Sequence, residues 1–218
     1  ISVLAEKPSQ ARDFYKPLLE RLSGEKLVDK GEYFASASYR LSWFYGHLLE
    51  AKEPVEYDPK FKEWKLEDLP ILPDHLEYRY KDGGSKKRAE ILVKLCKEAD
   101  SVVCATDPDR EGEGIFRTFW NFEKLDKPAK RLWAVSLADD DLLDSWGKMK
   151  ELSHYNALAK ARDARAAADW LVGMNASRAY TCVAYTKVPI GRVLTATLSL
   201  IVARDREVES FRELCTYQ

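Results

Sequence analysis

Apolar positions along this chain follow two different rhythms. Two continuous apolar runs, Ile1-Ser2-Val3-Leu4-Ala5 and Ser101-Val102-Val103-Cys104-Ala105-Thr106, have strand length and lack polar alternation, so each predicts a strand buried on both faces. Pro8 suits the first turn of a helix that runs from the first of these strands to about Leu22. Ser85 to Glu98 carries Ile91, Leu92 and Leu95 at helical spacing, and Gly112 to Phe122 reads as helix too. Tyr33 to His47, rich in Tyr, Phe, Trp and Ser, predicts two extended segments, and Arg131 to Ser136 predicts a further strand. Asp139, Asp140 and Asp141 open a following helix, where their charge favours its positive end. Ala51 to Asp82 is charged, proline-bearing and irregular, a long excursion from the core.

Strands alternating with helices predict an α/β fold, a mostly parallel sheet with helices on both faces. After about Gly147 the rhythm turns helical only, over Tyr155 to Val172 and Thr195 to Phe211, with Lys187-Val188-Pro189-Ile190-Gly191 between them. A boundary near Met149 is expected, separating residues 1–149 from a small all-helical segment, 150–218.

At 218 residues the chain is long enough to bury an independent core. Its cysteines, Cys96, Cys104, Cys182 and Cys215, form no CxxC pair and have no neighbouring histidine. Neither a zinc site nor a disulfide framework is indicated, and a reducing, intracellular setting fits. No apolar run approaches the roughly 18 residues a bilayer span needs. The 35 basic and 36 acidic residues nearly cancel, which argues against a protein that coats nucleic acid nonspecifically. Between His154 and Ala203, however, Lys160, Arg162, Arg165, Arg178, Lys187 and Arg192 face only Asp163 and Asp169, which allows a local basic surface. The chain opens inside an apolar run and closes without a terminating signal, so a piece of a longer protein is expected.

The densest chemical signal is Thr106-Asp107-Pro108-Asp109-Arg110-Glu111-Gly112-Glu113-Gly114, four carboxylates within seven residues at the carboxyl end of an apolar strand. Ligands of open α/β sheets bind at that edge. Crowded carboxylates repel one another, and a hard cation with oxygen ligands relieves the repulsion, which makes Asp107 and Asp109 the first metal candidates. A solvated acidic turn neutralised by Arg110 is the competing explanation. Glu6 and Lys7 stand at the equivalent end of the first strand. If the two strands are neighbours, an acid, a base and a metal converge, a set suited to phosphodiester chemistry. Taken alone, Glu6 and Lys7 read as charges at a helix start.

Ala5-Glu6-Lys7-Pro8-Ser9-Gln10-Ala11, Gly46-His47-Leu48-Leu49 and Thr106 to Glu113 together resemble the Toprim domain of type IA DNA topoisomerases, nearest the topoisomerase III branch. Tyr57-Asp58-Pro59-Lys60-Phe61-Lys62, Trp64 and Leu66-Glu67-Asp68-Leu69-Pro70 resemble the insertion that follows the Gly-His-Leu motif in that branch. Arg165 to Gly173, Ser177-Arg178, Gly191-Arg192-Val193 and Arg204-Asp205-Arg206-Glu207 resemble the start of the family's helical domain IV. The likeness covers nearly the whole chain and implies a Rossmann-like Toprim fold.

The resemblance also implies an ATP-independent enzyme that cuts one DNA strand through a 5′-phosphotyrosine, passes another strand and reseals the first with magnesium. Lys7 would hold the scissile phosphate and Glu6 would handle the proton at the 3′-hydroxyl. Magnesium would lie among Glu6, Asp107, Asp109 and Glu111, with Arg110 positioning the cluster and the DNA. DNA contacts carry over to His47, Arg131, Arg165, Asp169, Arg178, Pro189, Ile190, Gly191, Arg192, Val193, Leu194 and Thr195. Arg162, Arg165 and Asp169 share one helical face, Leu158, Ala161, Ala168 and Leu171 another. An ordinary Arg165–Asp169 surface pair, contributing at most about 0.5 kcal/mol, explains the same spacing. The chain enters a helix at Gly191, Arg192 and Thr195, where free amides suit a phosphate or a plain helix cap. Trp170 and Tyr180 can stack on bases or pack in a core.

Departures stand beside these likenesses. Leu194 occupies a position where the family commonly has glutamine, Ala196 one where it has proline, and Arg131 to Ser136 lacks the usual acidic residue. The family's nucleophilic tyrosine precedes an arginine and a threonine, a context no tyrosine here has; Tyr217 is followed only by Gln218. Alone, therefore, the chain is expected to bind magnesium and single-stranded DNA weakly and to relax nothing. The expected setting is the cytoplasm, at the nucleoid, as a monomer on single-stranded or underwound DNA, with a helicase as a partner of the full protein and no membrane. A Toprim nuclease and a non-catalytic Toprim scaffold are the alternatives.

Overall fold

A computed structural model describes residues 1–212, so Cys215 and Tyr217 lie outside the described residues. In chain order, β1 (Ser2–Ala5) leads into α1 (Pro8–Phe14), a π-helical stretch (Tyr15–Glu20) and α2 (Arg21–Ser23), then β2 (Val28–Asp29), β3 (Phe34–Ala35), β4 (Arg40–Trp43) and β5 (Leu49–Ala51). Next come α3 (Pro54–Tyr57), β6 (Tyr78–Tyr80), α4 (Gly83–Glu98), β7 (Val102–Ala105), α5 (Arg110–Phe122) and β8 (Ala129–Arg131). The chain continues through α6 (Asp139–Gly147), β9 (Lys150–Glu151), α7 (Asn156–Ala184) and α8 (Arg192–Glu209). Two compact units result: Ile1–Ala51 with Glu77–Ala164, and Lys52–Leu76 with the chain from Arg165 onward.

In the first unit the sheet runs β2-β3-β4-β1-β7-β8-β9. Its centre is parallel, β1 pairing with β4 and β7, and β7 with β8, whereas both edges are antiparallel. Successive side chains of a strand point to opposite faces, and the core obeys this period of two. Val3, Ala5, Val103 and Ala105 pack against Ala11, Phe14, Leu18, Leu19 and Leu142 on one face. On the other, Leu4, Val102 and Cys104 meet Ala89, Leu92 and Cys96 of α4 and Ile115, Phe116 and Phe119 of α5. Both faces of the central strands are thus covered, as their continuous apolar runs require.

Three expectations about elements need correction. The strand expected over Arg131 to Ser136 ends at Arg131. Leu132 still donates its amide to Cys104 O, and at the next carbonyls of that strand end, those of Thr106 and Asp107, the donor is the Arg131 guanidinium and not the ladder. The region after Gly147 is not helical only, because Lys150–Glu151 closes the sheet edge against β8. The first helix widens into a π-helical segment around Pro17, a residue that lacks the N–H and crowds the preceding turn of a regular helix.

In the second unit the excursion is held by its backbone. Side chains of α7 reach it at four points: Trp170 Nε1 donates to Lys52 O (3.0 Å), Arg178 Nη1 to Phe61 O (2.8 Å) and Cys182 Sγ to Trp64 O (3.2 Å). At the fourth, Asn175 both accepts from Ile71 N (2.6 Å) and donates to Ile71 O (3.0 Å), the pattern a neighbouring strand would offer. Ser177 makes the same double bond to Ile190, accepting from its N and donating to its O.

Candidate active site

The register of the sheet centre decides the site. Ala5 of β1 pairs with Ala105 of β7 in parallel, so Glu6 and the Thr106–Asp107 turn leave the same edge side by side. A Glu6 carboxylate oxygen accepts from the Asp107 amide at 3.1 Å, and Lys7 Nζ lies 3.8 Å from Asp107 Oδ2. Gln10, one turn into α1 and buried, donates to Asp107 Oδ1 (2.7 Å) and accepts from the Glu6 amide (2.7 Å). Burial pushes the Glu6 carboxyl above its ordinary range; the Asp107 amide opposes this, Asp107 and Asp109 add to it, and Lys7 opposes it.

Asp109 caps α5, its Oδ1 accepting from Gly112 N at 2.7 Å, and Thr106 Oγ1 donates to Gly112 O at 2.7 Å. Position 112 must be glycine for space: a Cβ there would stand 2.3 Å from Asp107 O. Arg110 is exposed at the start of the helix. Glu111 Oε1 lies 2.5 Å from His47 Nε2. Burial pulls the His47 imidazole down while Glu111 pulls it up. Gly46, at φ +69°, turns the chain so that its amide reaches Glu6 O (3.4 Å) and His47 follows.

Four carboxylates were expected around one magnesium ion. Among the described residues no group of three or more His, Cys, Asp and Glu side chains is gathered to hold a metal. Glu111 is drawn to His47, and Glu6 is bonded to the Asp107 amide. Asp107 and Asp109 at the strand end still fit magnesium, which typically takes one or two carboxylates with water completing its shell. Burial is the main cause of the raised Glu6 pKa, and the smaller part that comes from Asp107 and Asp109 is a repulsion that a cation there would relieve.

Two expected DNA contacts are corrected by burial. Arg131 is fully buried, bonded to Glu113 and to the carbonyls of Cys104, Thr106, Leu132 and Asp107, so it has no face for DNA. Arg178 is buried beneath Trp64, 5.0 Å from the ring, and donates to the excursion backbone. Arg162 lies over Gly114 and bonds Tyr78 and Asp163, so most of its length is packed away. Trp170 also packs inward, edge-on to Tyr57, while Tyr180 is exposed.

What remains exposed in the second unit is an Arg–Asp–Arg set: Asp169 takes Arg192 at 2.8 Å and Arg165 at 3.6 Å. Thr195 Oγ1 accepts from Gly191 N, tightening the entry to α8, and Val193 and Leu194 point to solvent. Pro189 and Ile190 lie in the link that Ser177 holds. Gln10 and Glu113 were missed as site residues, although Gln10 stands in the Glu6–Gln10 run and Glu113 closes the acidic cluster; no spacing rule told a buried partner from a solvated one.

Residues 2–137, more than half of the chain, match the Toprim domain. The chain belongs to the Toprim family. Beyond this Toprim domain, residues 153–217 match the DNA topoisomerase family. The chain is 37% identical over 217 residues to a DNA topoisomerase 3 of Bacillus cereus, covering 99% of this chain and 29% of that protein. It is 36% identical over 219 residues to DNA topoisomerase 3 of Bacillus subtilis, with 99% and 29% covered. The chain therefore spans about three tenths of the length of these relatives. Full-length topoisomerase I from Thermotoga maritima shares the fold, with a TM-score of 0.63 at 21% identity over 97% of this chain and 31% of that one. Among the described residues of this Toprim protein no helix is long and apolar enough to cross a membrane.

Proposed function

We propose that this Toprim chain is the amino-terminal part of a type IA DNA topoisomerase, an ATP-independent isomerase that cleaves, passes and reseals single DNA strands. The observation that carries the reading is the meeting of Glu6, Lys7 and Asp107 at the carboxyl edge of two paired parallel strands. Lys7, charged and half-exposed, binds the scissile phosphate. Glu6, whose raised pKa brings it nearer to neutral pH, holds and returns the proton at the 3′-oxygen. Gln10 orients both Glu6 and Asp107. Asp107 and Asp109 would hold magnesium, which when bound supplies charge stabilisation at the phosphate oxygens. Arg110 positions the cluster and the DNA, and His47, bonded to Glu111, contacts the DNA backbone.

In the second unit, Asp169 spaces Arg165 and Arg192 for the phosphates of a single strand, and Gly191 to Thr195 line the same helix entry. The functional division of the chain falls near Met149. The whole protein acts as a monomer on single-stranded or underwound DNA at the nucleoid, with a helicase as partner.

Incubation of the chain with magnesium and supercoiled plasmid tests the reading. It predicts weak single-strand binding and neither nicking nor relaxation. Magnesium-dependent nicking would assign a Toprim nuclease instead, and a magnesium titration that leaves Asp107 unperturbed would assign a non-catalytic scaffold.

A further inference from the structure

We infer that the buried pair Arg131–Glu113 is the positioning unit of this site: it locks the strand-end turn carrying Asp107 to the helix start carrying Asp109, and so sets the spacing of the two carboxylates for a divalent cation. Its metal consequence rests on the magnesium reading above; its geometric part does not.

The Arg131 guanidinium offers a planar fork of N–H donors, and all three of its nitrogens are engaged. Nε donates to Glu113 Oε2 (3.1 Å), Nη1 to Thr106 O (2.7 Å), Cys104 O (3.2 Å) and Leu132 O (3.2 Å), and Nη2 to Asp107 O (2.6 Å). One side chain thus gathers the carbonyls through which β7 becomes the Asp107 turn. Glu113 carries the connection to the helix: its amide donates to Asp109 O (3.1 Å), and its second carboxylate oxygen takes Arg117 (2.8 Å). Trp133 covers the guanidinium at 5.3 Å. Both charged side chains have zero exposure. Stability alone does not explain them, because an apolar pair of similar volume commonly serves a core as well or better. What the ionic pair supplies and an apolar pair does not is direction, holding named carbonyls at fixed places next to the two aspartates.

The test uses the 218-residue chain, with Mn2+ as a spectroscopic probe followed by electron paramagnetic resonance, and amide hydrogen exchange measured without metal. R131M/E113L removes the pair and leaves Arg117 without its carboxylate, bonded only to Leu152 O; R131K keeps both the charge and the Glu113–Arg117 pair but not the fork, and L92A opens a cavity in the α4 core as a stability control. R131M/E113L and R131K are expected to lose about 10- to 100-fold in Mn2+ affinity, the usual cost of disturbing the partners of metal ligands. They should also exchange the Asp109 and Gly112 amides faster, while L92A, whose cavity lowers the melting temperature, keeps wild-type affinity. Wild-type affinity in R131K or in the double variant, or an equal loss in L92A, would overturn the inference. If the unaltered chain binds no Mn2+, the magnesium reading fails, and the metal-free exchange decides alone: unchanged rates at Asp109 and Gly112 in R131K end the positioning claim.

Discussion

Gln10 donates a hydrogen bond to the carboxylate of Asp107 at 2.7 Å, and with its other amide atom it holds the backbone amide of Glu6. A neutral side chain thereby ties together the two halves of the acidic site. Gln10→Ala should remove both bonds and cost about 1–3 kcal/mol, because the buried groups lose partners. A thermal melt should register this as a fall of roughly 2–10 °C for a chain of this size. A melting temperature unchanged within about 1 °C would show that water replaces the glutamine without loss.

Glu6 should weaken the fold at neutral pH. Its carboxyl is raised by burial and by Asp107 and Asp109, so the folded chain resists its ionisation more than the unfolded chain does. For a raised acid the penalty is complete above the folded pKa and vanishes below the unfolded value. Glu6→Gln is therefore expected to melt at a higher temperature than the unaltered chain at pH 7 in a chelating buffer, with the gap closing toward pH 4. A gap that widens on acidification would contradict the sign.

Gly112→Ala tests the contact between the α5 start and the Asp107 turn. With a Cβ only 2.3 Å from a backbone oxygen, no side-chain rotation can relieve the clash, so the helix start must move. Overpacking of this kind costs about 1–3 kcal/mol. Divalent-ion affinity should fall with stability, since the displaced segment carries Asp109; calorimetry and metal titration on one sample check both.

Asn175→Ala should release the excursion from α7. Both backbone groups of Ile71 lose their partner at once, at about 1–3 kcal/mol for buried groups left unsatisfied. Limited proteolysis should then cut between Trp64 and Ile71 several-fold faster, while cleavage within Ile1–Ala51 keeps its rate.

Much of the site was legible because apolar runs locate buried strands and strand ends locate ligand edges. Ala5 and Ala105 needed only to be neighbours, and Glu6, Lys7 and Asp107 followed. Burial of charge was not legible. Arg131 and Arg178 look in the sequence like any exposed arginine, and only the packed carbonyls around them show that their donors are spent inside. The partner choice of Glu111 was hidden for a similar reason, since His47 reaches it through the Gly46 turn. The early end of β8, where the Arg131 guanidinium bonds the Thr106 and Asp107 carbonyls, is information that periodicity does not hold.

Pairing of the first strand with β7 joins Glu6 to Asp107, 101 positions apart in the chain. During synthesis on a ribosome, the early glutamate and lysine emerge long before the aspartates they face. Contacts this distant in sequence close late, after local helices have formed. The two halves of the candidate site therefore meet only after the middle of the sheet has zipped, and a slip of one residue in that pairing would turn this edge inside out.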